Sequence, residues 1–267
     1  MTFERSSSTE AGPRRDRYPG LAGKVAVVTG GSRGIGAATA LALAANEAAI
    51  AVVGRDEAAI AASVDACSAL GARAVGVAAD CTVESDLEAL RRKVADDLGP
   101  VDILAAFAGG NGMPVPTNAE TGEHWREVIE ADLTSTFLTV SAFLPTMIAR
   151  KSGVIITMSS AAARQATRSS AAYAAAKSGV IAFSRHLAGE FARDGIRVNC
   201  LAPSAIENDH MRSWVPAKQR EELAAAFPLR RLGQPEDVAA ATLFLASSAS
   251  SWITGATLDI AGGRVML

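Results

Sequence analysis

Short runs of apolar, often β-branched residues recur along this 267-residue chain. Between them lie longer stretches whose apolar positions follow helical spacing. The first kind of run suits strands buried on both faces, and the second suits helices laid across a sheet. The apolar runs fall at Lys24–Thr29, Ala49–Val53, Ala72–Ala78, Asp102–Phe107, Val154–Met158, Arg197–Leu201 and Ala256–Ile260. Helices are expected up to about Asn46, from Asp56 to Leu70 and from Thr82 to Leu98. Others are expected from about Glu123 to Arg150, from about Ser170 to Asp194 and from Pro235 to Ala246. Gly99-Pro100 ends the third of these, and Pro235 suits a first-turn position. Strand and helix alternate throughout, which predicts an α/β fold: a doubly wound parallel sheet of about seven strands with helices on both faces. Residues 21–267 read as one domain and 1–20 as a disordered N-terminal tail. The alternation lapses at about 205–232, where His210, Met211, Trp214, Phe227 and Pro228 mix with charges. That segment suits a mobile lid over a pocket, although core packing explains such apolar residues as well.

Composition narrows the class. Hydrophobic residues at 49% and charged residues at 20% describe a globular chain with a sizeable core. A formal charge of −2 supplies no general field for nucleic acid or an anionic membrane surface. Cys67, Cys81 and Cys200 are odd in number and far apart, so neither a disulfide framework nor a zinc site is suggested, and no metal is expected. No unbroken apolar run approaches the ~20 residues of a membrane span. The first 19 residues carry no apolar core of a secretory signal, and a reducing cytoplasm is the expected setting.

The first strand runs into Gly30-Gly31-Ser32-Arg33-Gly34-Ile35-Gly36 and then an alanine-rich helix. Strand, glycine turn and helix together make the context in which a glycine motif signals dinucleotide binding. Gly30 permits the turn, Gly34 lets backbone approach a pyrophosphate, and Gly36 allows close packing of the helix. Amide N–H groups at the helix start, including Ile35, then face the phosphates. The spacing Gly-x-x-x-Gly-x-Gly is a variant of the dinucleotide fingerprint of Rossmann-type sheets. The second strand ends at Gly54-Arg55-Asp56, where an NAD site would carry an acidic side chain. Gly54 leaves none at the tip, and Arg55 and Arg33 can clamp a 2′-phosphate, so NADP(H) is expected. Asp56 reads as the N-cap of the next helix. Asp80, before Cys81 at the third strand's end, is either an adenine partner or a cap of the following segment. Ala108-Gly109-Gly110 at the fourth would let a nucleotide lie against the backbone. His124 reads as a surface residue.

Tyr173 and Lys177, four apart on an alanine-rich helix, share one helix face. A phenol ionises near pH ~10, and bringing it to ~7 requires roughly 4 kcal/mol. An ammonium ~4 Å away is worth about that much at an effective dielectric of ~20. Ser160 closes the fifth strand, from which its hydroxyl can meet a developing oxyanion.

The glycine turn, Ser160 thirteen residues before Tyr-x-x-x-Lys, and Arg197-Val198-Asn199-Cys200-Leu201-Ala202-Pro203 together resemble the short-chain dehydrogenase/reductase family. Gly233-Gln234-Pro235-Glu236-Asp237-Val238 and Thr254-Gly255 to Gly262-Gly263 are similar as well. The likeness covers about residues 21–263 and is greatest to the 3-oxoacyl-(acyl-carrier-protein) reductase group and its carbonyl-reductase relatives. It implies an enzyme moving hydride between NADP(H) and a ketone or secondary alcohol. Tyr173 would be the general acid, Lys177 would lower the phenol's pKa and bond the nicotinamide ribose, and Ser160 would polarise the carbonyl. The Pro203 loop, with Ser204 and Ile206, would hold the carboxamide. It also implies a homotetramer and a small-molecule carbonyl or alcohol substrate. A carrier-protein face built on Arg212, Lys218, Arg220, Arg230 and Arg231 stays open, as those residues are equally readable as solvated.

Two departures from the family pattern stand out. Asp132-Leu133-Thr134 replaces the usual Asn-Leu-Thr, whose Asn helps hold a water relay behind the lysine, so Asp132 joins the candidate catalytic residues. Ala106-Phe107-Ala108-Gly109 replaces Asn-Asn-Ala-Gly, which predicts lost ties between neighbouring strands and altered packing of the site floor. These departures keep one alternative in view, an inactive NADP-binding sensor or assembly subunit; among enzymes the rival is an NAD-dependent secondary alcohol dehydrogenase, against which Gly54 and Arg55 speak.

Overall fold

The computed structural model describes residues 18–110 and 114–266. The tail expected over 1–20 lies outside them except for its last three residues, and those are tied to the body. The Tyr18 N–H donates to Asn46 Oδ1 at 2.8 Å, and the Pro19 carbonyl accepts from the Ser248 N–H at 3.0 Å.

The strands are β1 (Val25–Thr29), β2 (Ala49–Gly54), β3 (Ala74–Ala78), β4 (Ile103–Ala106), β5 (Gly153–Met158), β6 (Ile196–Pro203) and β7 (Thr257–Ile260). They form one seven-stranded sheet in the order β3-β2-β1-β4-β5-β6-β7, with every pairing parallel. The helices are α1 (Gly34–Ala45), α2 (Glu57–Ser68), α3 (Glu84–Asp97), α4 (Gly122–Ile129), α5 (Ser135–Arg150), α6 (Ala171–Phe191), α7 (Asp209–Trp214), α8 (Ala217–Ala225) and α9 (Pro235–Ala246). This is the Rossmann-type doubly wound arrangement expected from the alternation.

The period-2 geometry of a strand explains the two core layers. In β1, Ala26 and Val28 face one side and join Leu43, Ile60 and Leu243 from α1, α2 and α9. Val25 and Val27 face the other and join Leu87, Val140 and Leu187 from α3, α5 and α6. All five β1 residues are buried, so β1 is the axis of the sheet. The strand order reverses between β1 and β4, where crossovers leave to opposite sides and open a crevice at the strand ends.

Two segments differ from the sequence expectation. The long helix from about Glu123 to Arg150 is continuous in direction but contains a five-residue π turn, Glu130–Thr134, between α4 and α5. A π turn inserts an extra residue and re-aims the side chains on it. A single inserted residue of this kind leaves the helical periodicity of the sequence unmarked. The proposed lid folds as two short helices, α7 and α8. Six- and nine-residue helices show too few turns for a periodic pattern to stand out.

Among the described residues, Gly122–Arg150 is long and apolar enough, at a hydropathy of 1.2, to cross a bilayer by length and composition alone. The expectation from unbroken runs missed it because polar residues interrupt it. Its buried face, with Val140, Phe143 and Met147, packs into the sheet's core layer.

Candidate active site

The crevice beside β1 is a cleft of about 940 Å³ lined by Gly30, Ser32, Arg33, Gly54, Arg55, Asp80, Cys81, Ala108 and Gly109, among others. The expected cofactor residues that do not line it are Gly34, Ile35, Gly36, Tyr173, Lys177, Pro203, Ser204 and Ile206. Glu127, Ala131 and Ser135 line it without having been anticipated; they arrive on the α4–α5 helix, which the sequence places only by its length.

The glycine turn behaves as its steric logic requires. Gly30 has φ +66°, a conformation open to glycine at little cost. A Cβ on Gly36 would fall 2.0 Å from the Gly30 carbonyl oxygen, so any side chain there would force the turn apart. Arg33 occupies the N-cap of α1 with no side-chain capping bond, which leaves the first-turn N–H groups without a side-chain acceptor. That end of α1 can take phosphate oxygens, aided by the helix dipole. A cradle that excludes a Cβ and carries uncapped helix amides fits the pyrophosphate of a nicotinamide dinucleotide.

Arg33 and Arg55, the two residues read as a 2′-phosphate clamp, both line the cleft. The clamp is not free of negative charge, however. Asp56 caps α2, accepting from the Ala59 N–H at 3.0 Å through Oδ1, and its Oδ2 takes the Arg33 guanidinium. The Ala59 amide and then Arg33 hold its carboxyl below the usual range. Gly54 keeps the strand tip free of acid, but the next-but-one residue returns a carboxylate to the same cleft. Asp80 does not cap α3, whose N-cap Val83 has no side-chain capping bond; its Oδ1 closes the turn before that helix, accepting from the Thr82 N–H at 2.9 Å and the Thr82 hydroxyl at 2.7 Å. Those bonds, foremost the amide, hold its carboxyl low. Burial pushes the Cys81 thiol up, which leaves it an uncharged wall of the cleft.

At the end of β4 the side chains of Ala106 and Phe107 make no polar tie, and β1 and the β4 end are joined there through Thr29 instead. Thr29 at the tip of β1 accepts from the N–H groups of Phe107 at 3.0 Å and Ala108 at 3.1 Å through its hydroxyl. The Thr29 side chain thus makes the tie, and Phe107 is buried in the same core layer as Ile206 and Val238. Thr29 was missed because its partners stand 78 and 79 residues away.

Ser160 sits just past β5, half-buried, and caps a short turn by accepting from the Ala162 N–H at 3.2 Å. Tyr173 lies in the first turn of α6, whose N-cap Ser170 accepts the Tyr173 N–H at 3.1 Å. Lys177 follows one turn on, buried to 2% exposure. Its Nζ is 5.7 Å from the centre of the Tyr173 ring, donates to the Met158 carbonyl at 3.1 Å, and lies 3.0 Å from Asp132 Oδ1. The Ser159 hydroxyl donates to the Lys177 carbonyl at 2.7 Å, locking the end of β5 to α6. Glu120, with a side chain 4% exposed, is a further carboxylate at the start of α6, accepting from the Ala172 N–H at 3.3 Å. It pairs with His124 at 3.1 Å, so His124 is a partly buried partner and not the surface residue expected.

The Pro203 loop closes the end of β6: Ile206 is buried and bridges Gly233, while Ser204 lines a separate cavity of about 360 Å³ with Phe227 and Gly262. The side chains of His210 and Trp214, expected on the lid, lie outside the described residues. Of the basic residues considered for carrier docking, Arg212 and Arg220 both lie within salt-bridge reach of Glu207, and Arg231 pairs with Asp237.

A dinucleotide cleft at the switch point, with a serine, a tyrosine and a buried lysine beyond the neighbouring strand ends, defines a class of nicotinamide-dependent oxidoreductases. Comparison with known proteins agrees. A family profile described as Enoyl-(Acyl carrier protein) reductase matches residues 30–264. The chain is 38% identical over 247 residues to the 3-oxoacyl-[acyl-carrier-protein] reductase FabG of Vibrio cholerae, covering 92% of this chain and 99% of that one. It is 40% identical over 246 residues to cis-4-hydroxycyclohexanecarboxylate dehydrogenase of Sinomonas cyclohexanicum, covering 91% and 97%. In structure it resembles a 3-oxoacyl-[acyl-carrier protein] reductase from Brucella melitensis, with TM-score 0.89 and 32% identity over 99% of this chain and 100% of that chain. A 7 alpha-hydroxysteroid dehydrogenase solved with NADH and 7-oxo glycochenodeoxycholic acid has TM-score 0.87 and 35% identity, covering 92% of this chain and 96% of that one. The chain belongs to the short-chain dehydrogenase/reductase family. It is an oxidoreductase of that type, acting on the ketone/alcohol pair.

Proposed function

We propose that this protein is an NADP(H)-dependent carbonyl reductase in which Tyr173 exchanges the proton while hydride moves between cofactor and substrate. The observation that carries the reading is the buried Lys177 ammonium set one turn beyond Tyr173, at the end of the strand that delivers Ser160. Bound reduced nicotinamide supplies the hydride. Arg33 and Arg55 hold the 2′-phosphate, and the uncapped start of α1 holds the pyrophosphate. The loop past Pro203 holds the carboxamide end. Ser160 donates to the substrate carbonyl oxygen, and Tyr173 hands that oxygen its proton as the C–H bond forms. In the opposite direction tyrosinate removes the proton from the alcohol. Assembly as a homotetramer and a cytoplasmic setting belong to this proposal; all three cysteines are free and buried, as suits a reducing compartment.

A second reading, NAD-dependent alcohol oxidation, is favoured by Asp56, whose carboxylate competes for Arg33 inside the cleft. Among relatives of known structure, one was solved with NADH and another 3-oxoacyl reductase from Brucella melitensis with NAD. Initial rates on a panel of ketones, with NADPH and NADH side by side, separate the two. Higher kcat/KM with NADPH supports the proposal, and higher kcat/KM with NADH replaces it by the second reading. No turnover with either cofactor would point to a nucleotide-binding sensor.

A further inference from the structure

We propose that Asp132 is a positioning residue: as the anionic half of a buried ion pair with Lys177, it sets the pH range of the Tyr173 proton step and ties the cofactor loop to the catalytic helix. The inference rests on the reading of Tyr173 as the proton donor, and its test is chosen to stand apart from that reading. Asp132 is fully buried, and the Lys177 side chain is 3% exposed. Asp132 Oδ1 lies 3.0 Å from Lys177 Nζ and accepts the Gly110 N–H at 2.6 Å. One carboxylate oxygen therefore joins three elements: the π turn that carries Asp132, the loop after β4, and α6. The fit is specific to this geometry. The π turn aims residue 132 inward, and Gly109, at φ +122°, leaves room where a Cβ would lie 2.6 Å from that oxygen.

Charge gives the arrangement its consequence. A neutral amide at this position, as the family pattern has, would leave the Lys177 ammonium uncompensated beside the phenol. A carboxylate makes the pair net neutral, so a phenolate beside it is stabilised less. The other titratable or charged groups around the pair come from each neighbouring element. The α4 side presents Glu120 and His124, joined to each other and to the start of α6. From β6 comes Cys200, whose thiol burial pushes up and which feels the Lys177 charge. Beyond Ser160 stands the Arg164–Asp259 pair. The ends of β4 and β5 bring only Ala106 to Gly110 and Met158 to Ser160, none of which titrates. Asp132 is the group set directly against the ammonium.

The chain has only two tyrosines, Tyr18 and Tyr173, so phenolate absorbance resolves the one in question once the Tyr173→Phe protein is subtracted. Asp132→Asn keeps an acceptor for the Gly110 N–H and removes the charge. Its Tyr173 phenolate transition is expected about one pH unit lower than in the unaltered protein, with the matching limb of the kcat/KM profile shifted alike. The KM for cofactor is expected to stay unchanged in Asp132→Asn and to rise in Asp132→Ala, which leaves the loop amide without its acceptor. Asp132→Ser removes the charge at smaller volume and supplies the same comparison should the Asn variant not fold. Coincident phenolate transitions in charged and uncharged proteins overturn the proposal. The absorbance needs neither substrate nor cofactor, so failure of the ketone panel would leave this test standing.

Discussion

Replacing Thr29 by Val tests whether the tip of β1 holds up the floor of the site. Thr29 is completely buried, and its hydroxyl takes the N–H groups of Phe107 at 3.0 Å and Ala108 at 3.1 Å. The Phe107 N–H also reaches the Ala105 carbonyl at 3.1 Å, so the substitution weakens one donor and orphans the other. An unsatisfied buried N–H costs about 1–3 kcal/mol, and loss of a shared hydrogen bond roughly 0.5–1 kcal/mol. The sum is roughly 1.5–4 kcal/mol, or a Tm lower by about 3–16 °C for a chain of this size. Thr29→Ser keeps the acceptor and gives up a methyl group, about 1 kcal/mol. Urea and thermal unfolding of the three proteins measure the difference directly. The KM for cofactor should also rise in Thr29→Val, because Ala108 and Gly109 line the cleft. Equal stability of the Val and Ser variants would refute the argument that the hydroxyl, and not the bulk, makes the tie.

Arg55→Asp puts a carboxylate beside Asp56 and Asp80 in the cleft, and the KM for NADPH should rise by one to two orders of magnitude at an effective dielectric of ~20 or above, with NADH little affected. Unchanged kinetics with both cofactors would remove Arg55 from the clamp. Asp237 caps the start of α9, accepting the Gln234 N–H at 2.7 Å, and pairs with Arg231. Arg231 holds its carboxyl below the ordinary 3.8, so its contribution to stability is complete above that value and is lost as pH falls through the lower folded one. The gap in urea midpoint between the unaltered protein and Asp237→Asn should be constant from pH 5 to 7 and close below pH 3.8; a gap that widens on acidification would reverse the sign of that reasoning.

Local chemistry makes the glycine turn, the Asp56 cap of α2 and the alternation of parallel strands with helices legible in the sequence. Gly30 and Gly36 are dictated by sterics within a few residues, and buried parallel strands announce themselves as β-branched runs. What the chain concealed depends on distant partners. The Thr29 tie spans nearly eighty residues, and the π turn at Glu130–Thr134 sets Asp132 against Lys177 of α6, a partner far along the chain. Ala106-Phe107 in place of two asparagines predicts lost strand ties and altered packing of the site floor; what the sequence does not show is that the Thr29 hydroxyl joins β1 to the backbone at the end of β4. Glu120 gave no sign of its role, since an acid before a helix is commonplace and only the fold sets it on the start of α6.

The most direct measurement of the central claim compares Tyr173→Phe with the unaltered protein in two assays: ketone-dependent NADPH oxidation, and NADPH binding followed by its fluorescence. Turnover should fall by at least about a hundredfold, the contribution of a positioned general acid, while the Kd for NADPH stays within about threefold. Turnover that survives the substitution, or cofactor binding that disappears with it, would contradict the account.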